Sequence, residues 1–293
     1  MFIISIDGGL GNQMFEFAFF LAMQERFPNS KCYLDISMMN EETHNGYELE
    51  RVFGIHMPMA DWQDVVKLSE YCPKTVKYNK TINKINVFRR AIMGIKPSYI
   101  VQEDSSAFYA EYFSLNVLYS YYLRGVWANV KYFHSIKEKV LSSFVFPQIT
   151  DEKNKLLAEK MASTNSVSIH FRKGDYEEFG FEILSGEYYQ QAVDYMDKNL
   201  LSPEYFIFSD DISGAKENIG EAANFTFIDW NAGKNAYIDM NLMSLCKNNI
   251  IANSTFSFWG AYLNRNPQKT VIYPRLPLKG CRYPYAERDW IGM

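Results

Sequence analysis

A short segment in the middle of the chain combines an apolar strand pattern with three side chains that suit chemistry. It reads Val-Ser-Ile-His-Phe-Arg-Lys-Gly-Asp-Tyr over residues 167–176 and places His170, Arg172 and Asp175 where the apolar pattern breaks into a polar turn. A guanidinium group at the end of a buried strand is suited to bidentate binding of a phosphate or a carboxylate. The alternative is a structural ion pair between Arg172 and Asp175, and the segment alone favours neither interpretation.

Polar residues also follow later strand-like segments. In an open parallel sheet, ligands bind beyond the carboxyl ends of the strands. Besides the residues of the first turn, the side chains expected at that edge are Ser209, Asp210, Asp211, Asp229, Trp230, Asn253, Ser254, Thr255 and Phe256. Because several polar groups converge on one edge, the sequence predicts a ligand site there.

Two of these groups indicate the type of ligand. Asn253, Ser254 and Thr255 lead into a predicted helix, where their hydroxyl and backbone N–H groups suit either a helix cap or a bound phosphate. Asp210 and Asp211 suit either a metal ion or a cap of the following helix. Because no D-x-D sequence occurs in the chain, we predict no metal–diphosphate clamp of that type. We expect the acids to hold ribose hydroxyls or a base edge.

A glycine-rich loop near the N-terminus suggests a different ligand. Gly9-Leu-Gly11-Asn-Gln-Met14 has part of a dinucleotide-binding fingerprint, and Asp35 stands where such a site has its ribose-binding acid. Met14 replaces the third glycine, and Asn12 and Gln13 add bulk where a pyrophosphate approaches. A nicotinamide-dependent oxidoreductase is therefore an alternative with incomplete support.

The hydrophobic pattern predicts an α/β protein with two parallel sheets. The first half reads as a strand over 2–6, a turn over 7–13, a helix over 14–27 and a strand over 31–35, with helices near 61–71 and 129–142. The second half predicts strands at 167–171, 205–208, 225–228, 250–252 and 271–273, with helices near 186–200, 213–220, 235–248 and 255–265. We place the domains at residues 1–150 and 151–293.

The composition indicates a globular protein and argues against nucleic acid binding, a zinc site and a membrane-spanning segment. The 293 residues are 47% apolar and 22% charged, so a large core is expected, and the net charge of -4 gives no case for nucleic acid binding. Cys32, Cys72, Cys246 and Cys281 form no C-x-x-C pair, which argues against a zinc site. The first residues do not resemble a signal peptide, and no apolar run is long enough to span a bilayer, so we expect a cytoplasmic protein.

One basic segment stands out against the negative net charge. Residues 74–96 carry seven Lys or Arg and no acid. The segment suits either a solvated surface or contact with an anionic membrane or a lipid-linked substrate.

Several blocks of the sequence, in one order, resemble the bacterial α-1,2-fucosyltransferases of glycosyltransferase family 11. The blocks are Gly8-Gly-Leu-Gly-Asn-Gln-Met-Phe15, His170-x-Arg-x-Gly-Asp-Tyr176, Phe208-Ser-Asp-Asp211, Leu242-Met-Ser-x-Cys246 and Ile250-Ile-Ala-Asn-Ser-Thr-Phe-Ser-Phe-Trp-Gly-Ala261. The resemblance implies a GT-B fold, with two Rossmann-like domains facing across a cleft. It also implies metal-independent transfer of L-fucose from GDP-fucose to the 2-hydroxyl of a terminal galactose, with inversion. The acceptor would be an oligosaccharide or a lipid-linked glycan, with weak peripheral contact at the inner membrane face.

The resemblance also implies roles for individual residues. Arg172 matches the phosphate-binding arginine, and the N-terminal domain is expected to be the acceptor side. The residues expected to bind the donor are Gly11, Asn12, Gln13, Asp210, Asp211, Asp239, Asn253, Ser254, Thr255 and Phe256. His170, Asp175 and Asp7 remain open as the general base, and His170 alternatively packs beneath the turn.

The chain departs from the family pattern at two places. Asn248 lies in a run that usually holds a histidine, and Phe258 replaces a frequent tryptophan. We therefore assign no role to Asn248. A non-catalytic glycan-binding protein on the same scaffold is a further alternative.

Overall fold

The computed structural model describes residues 1–37, 39, 44–69, 88, 92, 98–174, 176, 180–275, 287 and 289–293. The chain divides into two compact units, Met1–Ser143 and Phe144–Met293. Each unit is built on its own parallel β-sheet. Asp175 and the basic segment 74–96, apart from Phe88 and Ile92, lie outside the described residues.

The N-terminal unit contains a four-stranded sheet in the order β2-β1-β4-β3, with parallel pairing throughout. Its strands are β1 (Phe2–Ser5), β2 (Cys32–Asp35), β3 (Tyr99–Val101) and β4 (Tyr121–Arg124). Its described helices are α1 (Leu10–Arg26), α2 (Leu49–Phe53), α3 (Trp62–Leu68) and α4 (Lys137–Ser143). All four β1 side chains are buried, which explains the unbroken apolar run in the sequence.

The structure corrects two predictions in this unit and adds elements that the sequence did not predict. Helix α1 begins at Leu10 rather than at Met14, because the carbonyl of Gly9 accepts the N–H groups of Asn12 and Gln13 and closes the first turn. The predicted helix over 129–142 is instead two short 3-10 turns followed by α4. Strands β3 and β4 were not predicted, because each is only three or four residues long and lies among many aromatic residues.

The C-terminal unit contains a six-stranded parallel sheet in the order β10-β9-β8-β5-β6-β7. Its strands are β5 (Asn165–Phe171), β6 (Pro203–Ser209), β7 (Phe225–Ile228), β8 (Asn248–Ile250), β9 (Val271–Tyr273) and β10 (Ile291–Gly292). Its described helices are α5 (Glu152–Ser163), α6 (Gly186–Asn199), α7 (Ile212–Ile219), α8 (Tyr237–Leu245) and α9 (Thr255–Leu263). The alternation predicted for the second half is confirmed, but helix α5 and strand β10 were not predicted.

Strand β8 begins two residues earlier than the apolar pattern predicted. It opens with the buried side chains of Asn248 and Asn249. The Asn249 amide donates to the Ser168 hydroxyl at 2.7 Å and to the Met243 carbonyl at 2.8 Å. Buried amides are tolerated where their hydrogen bonds are satisfied, so these partners allow polar residues inside a central strand.

The two faces of this sheet form separate cores. Val167, Ile169 and Phe171 point to one face and pack with α6 residues, whereas Phe206 and Phe208 pack on the other face with α8. Strand β5 lies between β6 and β8, with Phe171 opposite Ser209 and Ile169 opposite Ile250. This register brings the residues after β5, β6 and β8 to one edge of the sheet.

Across the residues that the structure describes, no helix combines the length and apolar character needed to cross a bilayer.

Candidate functional site

Arg172 lies directly after β5 and forms an ion pair with the residue that follows β6. Its Nη1 atom is 2.5 Å from Oδ2 of Asp210, and its guanidinium carbon lies 5.6 Å from the centre of the Tyr176 ring. The Arg172 side chain is 32% exposed and that of Asp210 is 28% exposed. The guanidinium is therefore held in place by a carboxylate and a ring while part of it remains accessible.

The turn after β5 is fitted closely around Asp210. The backbone N–H of Lys173 donates to Asp210 Oδ1 at 3.1 Å. Gly174 has a φ of +25°, and a Cβ atom at this position would collide with the Asp210 carboxylate. Glycine is thus favoured both by the backbone conformation and by the space beside Asp210.

Asp211 has a different role from its neighbour, because it caps α7. Its Oδ1 atom accepts the N–H of Gly214 at 2.9 Å, and its Oδ2 atom lies 2.9 Å from Nζ of Lys173. The Gly214 hydrogen bond, followed by Lys173, lowers the pKa of Asp211. Within the described parts of the chain, no three His, Cys, Asp or Glu side chains are grouped as metal ligands.

His170 is buried beneath this turn. It is 6% exposed, its ring lies 5.8 Å from that of Phe256, and its Nδ1 atom has no hydrogen-bond partner among the described residues. Burial, together with the charge of Arg172, lowers the pKa of His170 to about 3. A neutral and inaccessible imidazole of this pKa is a poor general base at neutral pH, so the structure favours the interpretation in which His170 packs under the turn.

The segment from Asn253 to Phe256 forms the entry to α9. Ser254 is the N-cap, and its hydroxyl accepts the N–H of Phe256 at 3.3 Å. The Asn253 amide donates to the Glu182 carbonyl at 2.7 Å, while the Asn253 carbonyl accepts the Tyr176 hydroxyl at 2.6 Å. Tyr176 therefore connects the Arg172 turn to the α9 entry.

This entry also has features that suit an anion. Thr255 and Phe256 are partly exposed, whereas Asn253 and Ser254 are buried. The first N–H groups of a helix carry partial positive charge and bind anions. Within the described part of the chain, the buried Asn253 Oδ1 atom has no hydrogen-bond partner, so the predicted capping interpretation applies to Ser254 and not to Asn253.

Asp239 belongs to an amide network that the sequence did not reveal. The Asn231 amide donates to Asp239 Oδ1 at 2.7 Å, and Asn231 and Asn154 exchange hydrogen bonds at 2.8 and 3.1 Å. Burial raises the pKa of Asp239 to about 7, with Asn231 opposing the shift and Asp229 adding to it. Because Asn154 and Asn231 are far apart in the chain, no local pattern predicted their pairing.

The glycine-rich loop belongs to the N-terminal unit, where its polar side chains are already bonded. The Gln13 amide nitrogen donates to the carbonyls of Gly8 and Gly46 at 2.9 Å each, and its oxygen accepts the Glu48 N–H at 2.9 Å. Gln13 is fully buried. A donor contact by its side chain would have to replace these bonds, and the predicted roles of Gly11, Asn12 and Gln13 stay predictions.

Asp35 does not fit the role of a ribose-binding acid. Its carboxylate accepts the N–H of Ser37 at 3.0 Å, the hydroxyl of Ser37 at 2.9 Å and the hydroxyl of Tyr122 at 2.7 Å. Met14, at the position of the missing glycine, is fully buried. The dinucleotide fingerprint therefore lacks the acid that an oxidoreductase site requires.

Comparison with solved structures places the fold in the GT-B class of glycosyltransferases. The chain is similar to Bradyrhizobium NodZ alpha-1,6-fucosyltransferase co-crystallised with GDP, with a TM-score of 0.52, 15% identity and coverage of 88% of this chain and 90% of that chain. It is also similar to a mutant of Arabidopsis thaliana FUT1 in complex with GDP, with a TM-score of 0.51, 12% identity and coverage of 93% and 70%. The predicted fold class is thus confirmed.

Sequence comparison identifies the family. The pattern described as Glycosyl transferase family 11 matches residues 73–292. The O-antigen biosynthesis glycosyltransferase WbnK of Escherichia coli is 30% identical over 98% of this chain and 99% of that protein. An alpha-1,2-colitosyltransferase of Escherichia coli is 32% identical over 98% of this chain and 93% of that protein. The chain belongs to glycosyl transferase family 11, as the sequence blocks predicted.

Proposed function

We propose that this chain transfers L-fucose from GDP-fucose to the 2-hydroxyl group of a terminal galactose, with inversion and without a metal ion. The observation that carries the proposal is the pairing of the Arg172 turn with the α9 entry. Tyr176 stacks near Arg172 and donates its hydroxyl to the Asn253 carbonyl at 2.6 Å. One sheet edge thereby offers a guanidinium and a helix N-terminus to the same diphosphate.

The proposed chemistry needs positive charge at this edge. Breaking the bond between fucose C1 and the phosphate oxygen leaves an oxocarbenium-like sugar and a negatively charged GDP. Arg172 and the first N–H groups of α9 would stabilise that negative charge. A lost donor of this kind costs roughly 3–4 kcal/mol of transition-state stabilisation, by analogy with oxyanion holes.

Among the predicted acids, Asp239 is better suited than Asp210 or Asp211 to bind the guanine base. Asp210 is paired with Arg172, and Asp211 is occupied by the α7 cap and Lys173. The Asp239 carboxyl has one described hydrogen bond, from Asn231, and adjoins Asp229 after β7. Binding to guanine N–H groups would supply donors to a carboxylate that is costly to bury alone.

A second donor sugar is favoured by one of the comparisons. The relative at 32% identity is named as a colitosyltransferase, and colitose is fucose without the 3-hydroxyl group. A site that hydrogen-bonds a substrate hydroxyl rejects the analogue lacking it by about 10⁴-fold or more. Competition between GDP-fucose and GDP-colitose therefore separates the two donors sharply.

The membrane part of the proposal rests on residues 74–96. Each Lys or Arg near an anionic surface contributes about 1 kcal/mol, reduced by salt. Lys77, Lys80, Lys84, Arg89 and Arg90 lie outside the described residues. We expect salt-sensitive co-sedimentation with anionic vesicles, and absence of binding at low salt would leave this segment as an ordinary solvated surface.

The transfer itself is tested by incubating the protein with GDP-fucose and a panel of galactose-terminated acceptors in EDTA. Mass spectrometry and NMR should detect an α-1,2-linked product together with stoichiometric GDP. Folded protein that binds glycans without any turnover, from either donor, would instead support the non-catalytic alternative. Thermal stabilisation by NAD but not by GDP would support the oxidoreductase.

A further inference from the structure

A cavity of about 250 Å³ lies at the carboxyl end of β3, within the N-terminal unit. This volume equals that of about eight waters at about 30 Å³ each, and it is below the roughly 300 Å³ at which pockets for drug-sized ligands begin. The cavity is therefore large enough for one sugar-sized ring and too small for a nucleotide. Its lining combines apolar, aromatic and acidic side chains, among them Ile100, Val101, Leu115, Tyr109, Glu103 and Glu111.

Hydrogen bonds hold the walls of this cavity in place. The buried Gln102 amide oxygen accepts the Trp127 N–H at 2.8 Å, and the amide nitrogen donates to the Ala107 carbonyl at 3.3 Å. The Tyr132 hydroxyl accepts the Tyr109 N–H at 2.9 Å and donates to the Ala107 carbonyl at 3.0 Å. The loop after β3 is thus fixed by its own contacts, which lowers the cost of ordering it around a ligand.

The polar groups that line the cavity are not used in this way. Among the described residues, the exposed carboxylates of Glu103 and Glu111 and the hydroxyl of Tyr109 have no hydrogen-bond or ion-pair partner. Burial raises the pKa of Tyr112 to about 12, and the charges of Glu111 and Glu103 add to this shift, so both carboxylates lie near its ring. The Tyr109 and Tyr112 rings meet edge to face at 6.4 Å. Two unpaired carboxylates therefore lie beside a pair of aromatic rings.

These groups match the surface of a neutral pyranose. A sugar ring presents C–H groups that pack on aromatic and aliphatic side chains, and hydroxyl groups that donate charge-assisted hydrogen bonds to carboxylates. No Lys or Arg among the described residues lines the cavity, so Glu103 and Glu111 would repel a phosphate or a uronic acid. An ammonium ion would use the carboxylates but not the apolar wall of Ile100, Val101 and Leu115. A neutral sugar uses both.

We propose that this cavity binds one neutral pyranose residue of a glycan. Tyr109 packs against the sugar ring, and Glu103 and Glu111 accept its hydroxyl groups. The choice of a glycan as the ligand rests on the proposed function. The site itself consists of residues of the N-terminal unit alone, and its occupation needs no nucleotide and no chemical step.

The first test observes the cavity directly. Methyl NMR signals of Ile100, Val101 and Leu115 are recorded while galactose, glucose, N-acetylglucosamine or fucose is added in the absence of nucleotide. We expect at least one sugar to shift these signals, with a dissociation constant on the order of 1 mM. The methyl signals of Leu201, which is 84% exposed in the C-terminal unit, should not move. If none of the four sugars shifts the cavity signals, the inference is wrong.

The second test assigns the contacts within the cavity. Glu111→Gln keeps an acceptor oxygen but removes the charge, and it should raise the dissociation constant about fivefold. Tyr109→Ala removes the ring and should weaken binding at least as much. Glu25→Gln and Tyr119→Ala, at exposed positions of the same unit, are the matched controls and should bind as wild type does. Wild-type affinity in folded E111Q, whose altered side chain is exposed, would overturn the assignment even if Y109A does not fold.

The third test separates a sugar from a cation. Binding of a neutral sugar should stay within twofold in about 1 M NaCl, where the screening length is about 3 Å. If butylamine shifts the cavity signals and no sugar does so, the cavity binds cations and the inference fails.

The outcomes also distinguish this inference from the proposed function. If sugars shift the cavity signals while wild-type protein transfers neither fucose nor colitose, the proposed function fails and the binding site stands. Wild-type turnover without any sugar-induced shift overturns only the inference.

Discussion

The carboxyl edges of the two sheets carry opposite arrangements of charge. At the edge of the C-terminal sheet, Arg172 and Lys173 are partly exposed, and carboxylates from the neighbouring strand hold them. At the edge of the N-terminal sheet, Glu16 and Asp35 are buried and Asp7 is exposed beside one arginine. The first arrangement leaves cations accessible to an anion, whereas the second leaves one accessible carboxylate beside an arginine.

The acids that follow strands in the two sheets differ in how many hydrogen-bond partners they have and in how exposed they are. Asp210 orients Arg172 without burying it, so part of the guanidinium remains accessible to a ligand. Asp35 accepts three described hydrogen bonds and is 5% exposed, so it stabilises the turn after β2 instead of binding a ligand. Two acids at equivalent strand ends thus differ in role because of their hydrogen-bond partners.

The largest expected effect is at Arg172. Arg172→Lys keeps the charge but removes the bidentate fork and the planar stacking near Tyr176. We expect turnover to fall about 100- to 1000-fold, by analogy with lost oxyanion-hole donors, with an unchanged melting temperature. Arg26→Lys, in the last turn of α1, is the control and should be fully active. An R172K enzyme with more than about half of the wild-type rate would refute a phosphate role that depends on the fork.

The next largest expected effect is on the free energy of unfolding, at Asp239. Because its pKa is about 7 in the folded state and about 3.9 when unfolded, the unfolded chain loses its proton first as pH rises. Folded-state stability therefore falls between about pH 4 and pH 7. Asp239→Asn should remove this loss, about 2–4 kcal/mol at pH 8, with little difference at pH 4.

Denaturant unfolding of both proteins across this pH range measures the Asp239 effect. A difference between D239N and wild type that does not grow from pH 4 to pH 7 would contradict the raised pKa. The measurement is made without nucleotide, so it is independent of any contact between Asp239 and guanine.

A smaller effect is expected at Asp210, which orients Arg172 without contacting the donor in our proposal. Asp210→Asn can keep the Lys173 N–H hydrogen bond but weakens the ion pair. We expect kcat/KM to fall about tenfold, equivalent to about 1.4 kcal/mol, with a change in stability below about 1 kcal/mol. Asp194→Asn, at an exposed position on α6, is the control. If kcat/KM falls equally in Asp210→Asn and Asp194→Asn, the loss comes from the change in net charge and not from the orientation of Arg172.

Chelation is expected to have the smallest effect. If the cations of the C-terminal edge supply the charge, EDTA should change the rate less than twofold. A large loss in EDTA that Mg²⁺ or Mn²⁺ restores would mean that a metal ion supplies charge that we assign to Arg172 and α9.

The sequence predicted the parts of the molecule whose patterns are local. Strands β7 and β9 agree with their predicted limits because their short apolar runs are bounded by turn residues. The start of α1 was missed because Gly9 and Gly11 resemble a turn, although glycine is tolerated in a first helical turn that is closed by backbone bonds. The lesson is that glycines near a helix start do not define its first residue.

The convergence of Arg172 and Asp210 on one sheet edge was predictable from the sequence, but their hydrogen-bond and ion-pair partners were not. An ion pair between Arg172 and Asp175 was one of two interpretations, and Asp175 lies outside the described residues. The described partner is Asp210, which the register of β5 and β6 brings alongside. That register could have been inferred from parallel pairing. The Asn154–Asn231 pair and the burial of Glu16 depend on packing between distant segments, which a single sequence does not specify.

The most direct test of the central claim is a crystal structure of the protein with GDP. We predict that the diphosphate lies within hydrogen-bond distance of the Arg172 guanidinium and of the first N–H groups of α9, with guanine near Asp239. A diphosphate bound instead at the Gly8–Gly11 loop, with its ribose at Asp35, would contradict the assignment of the two sheet edges.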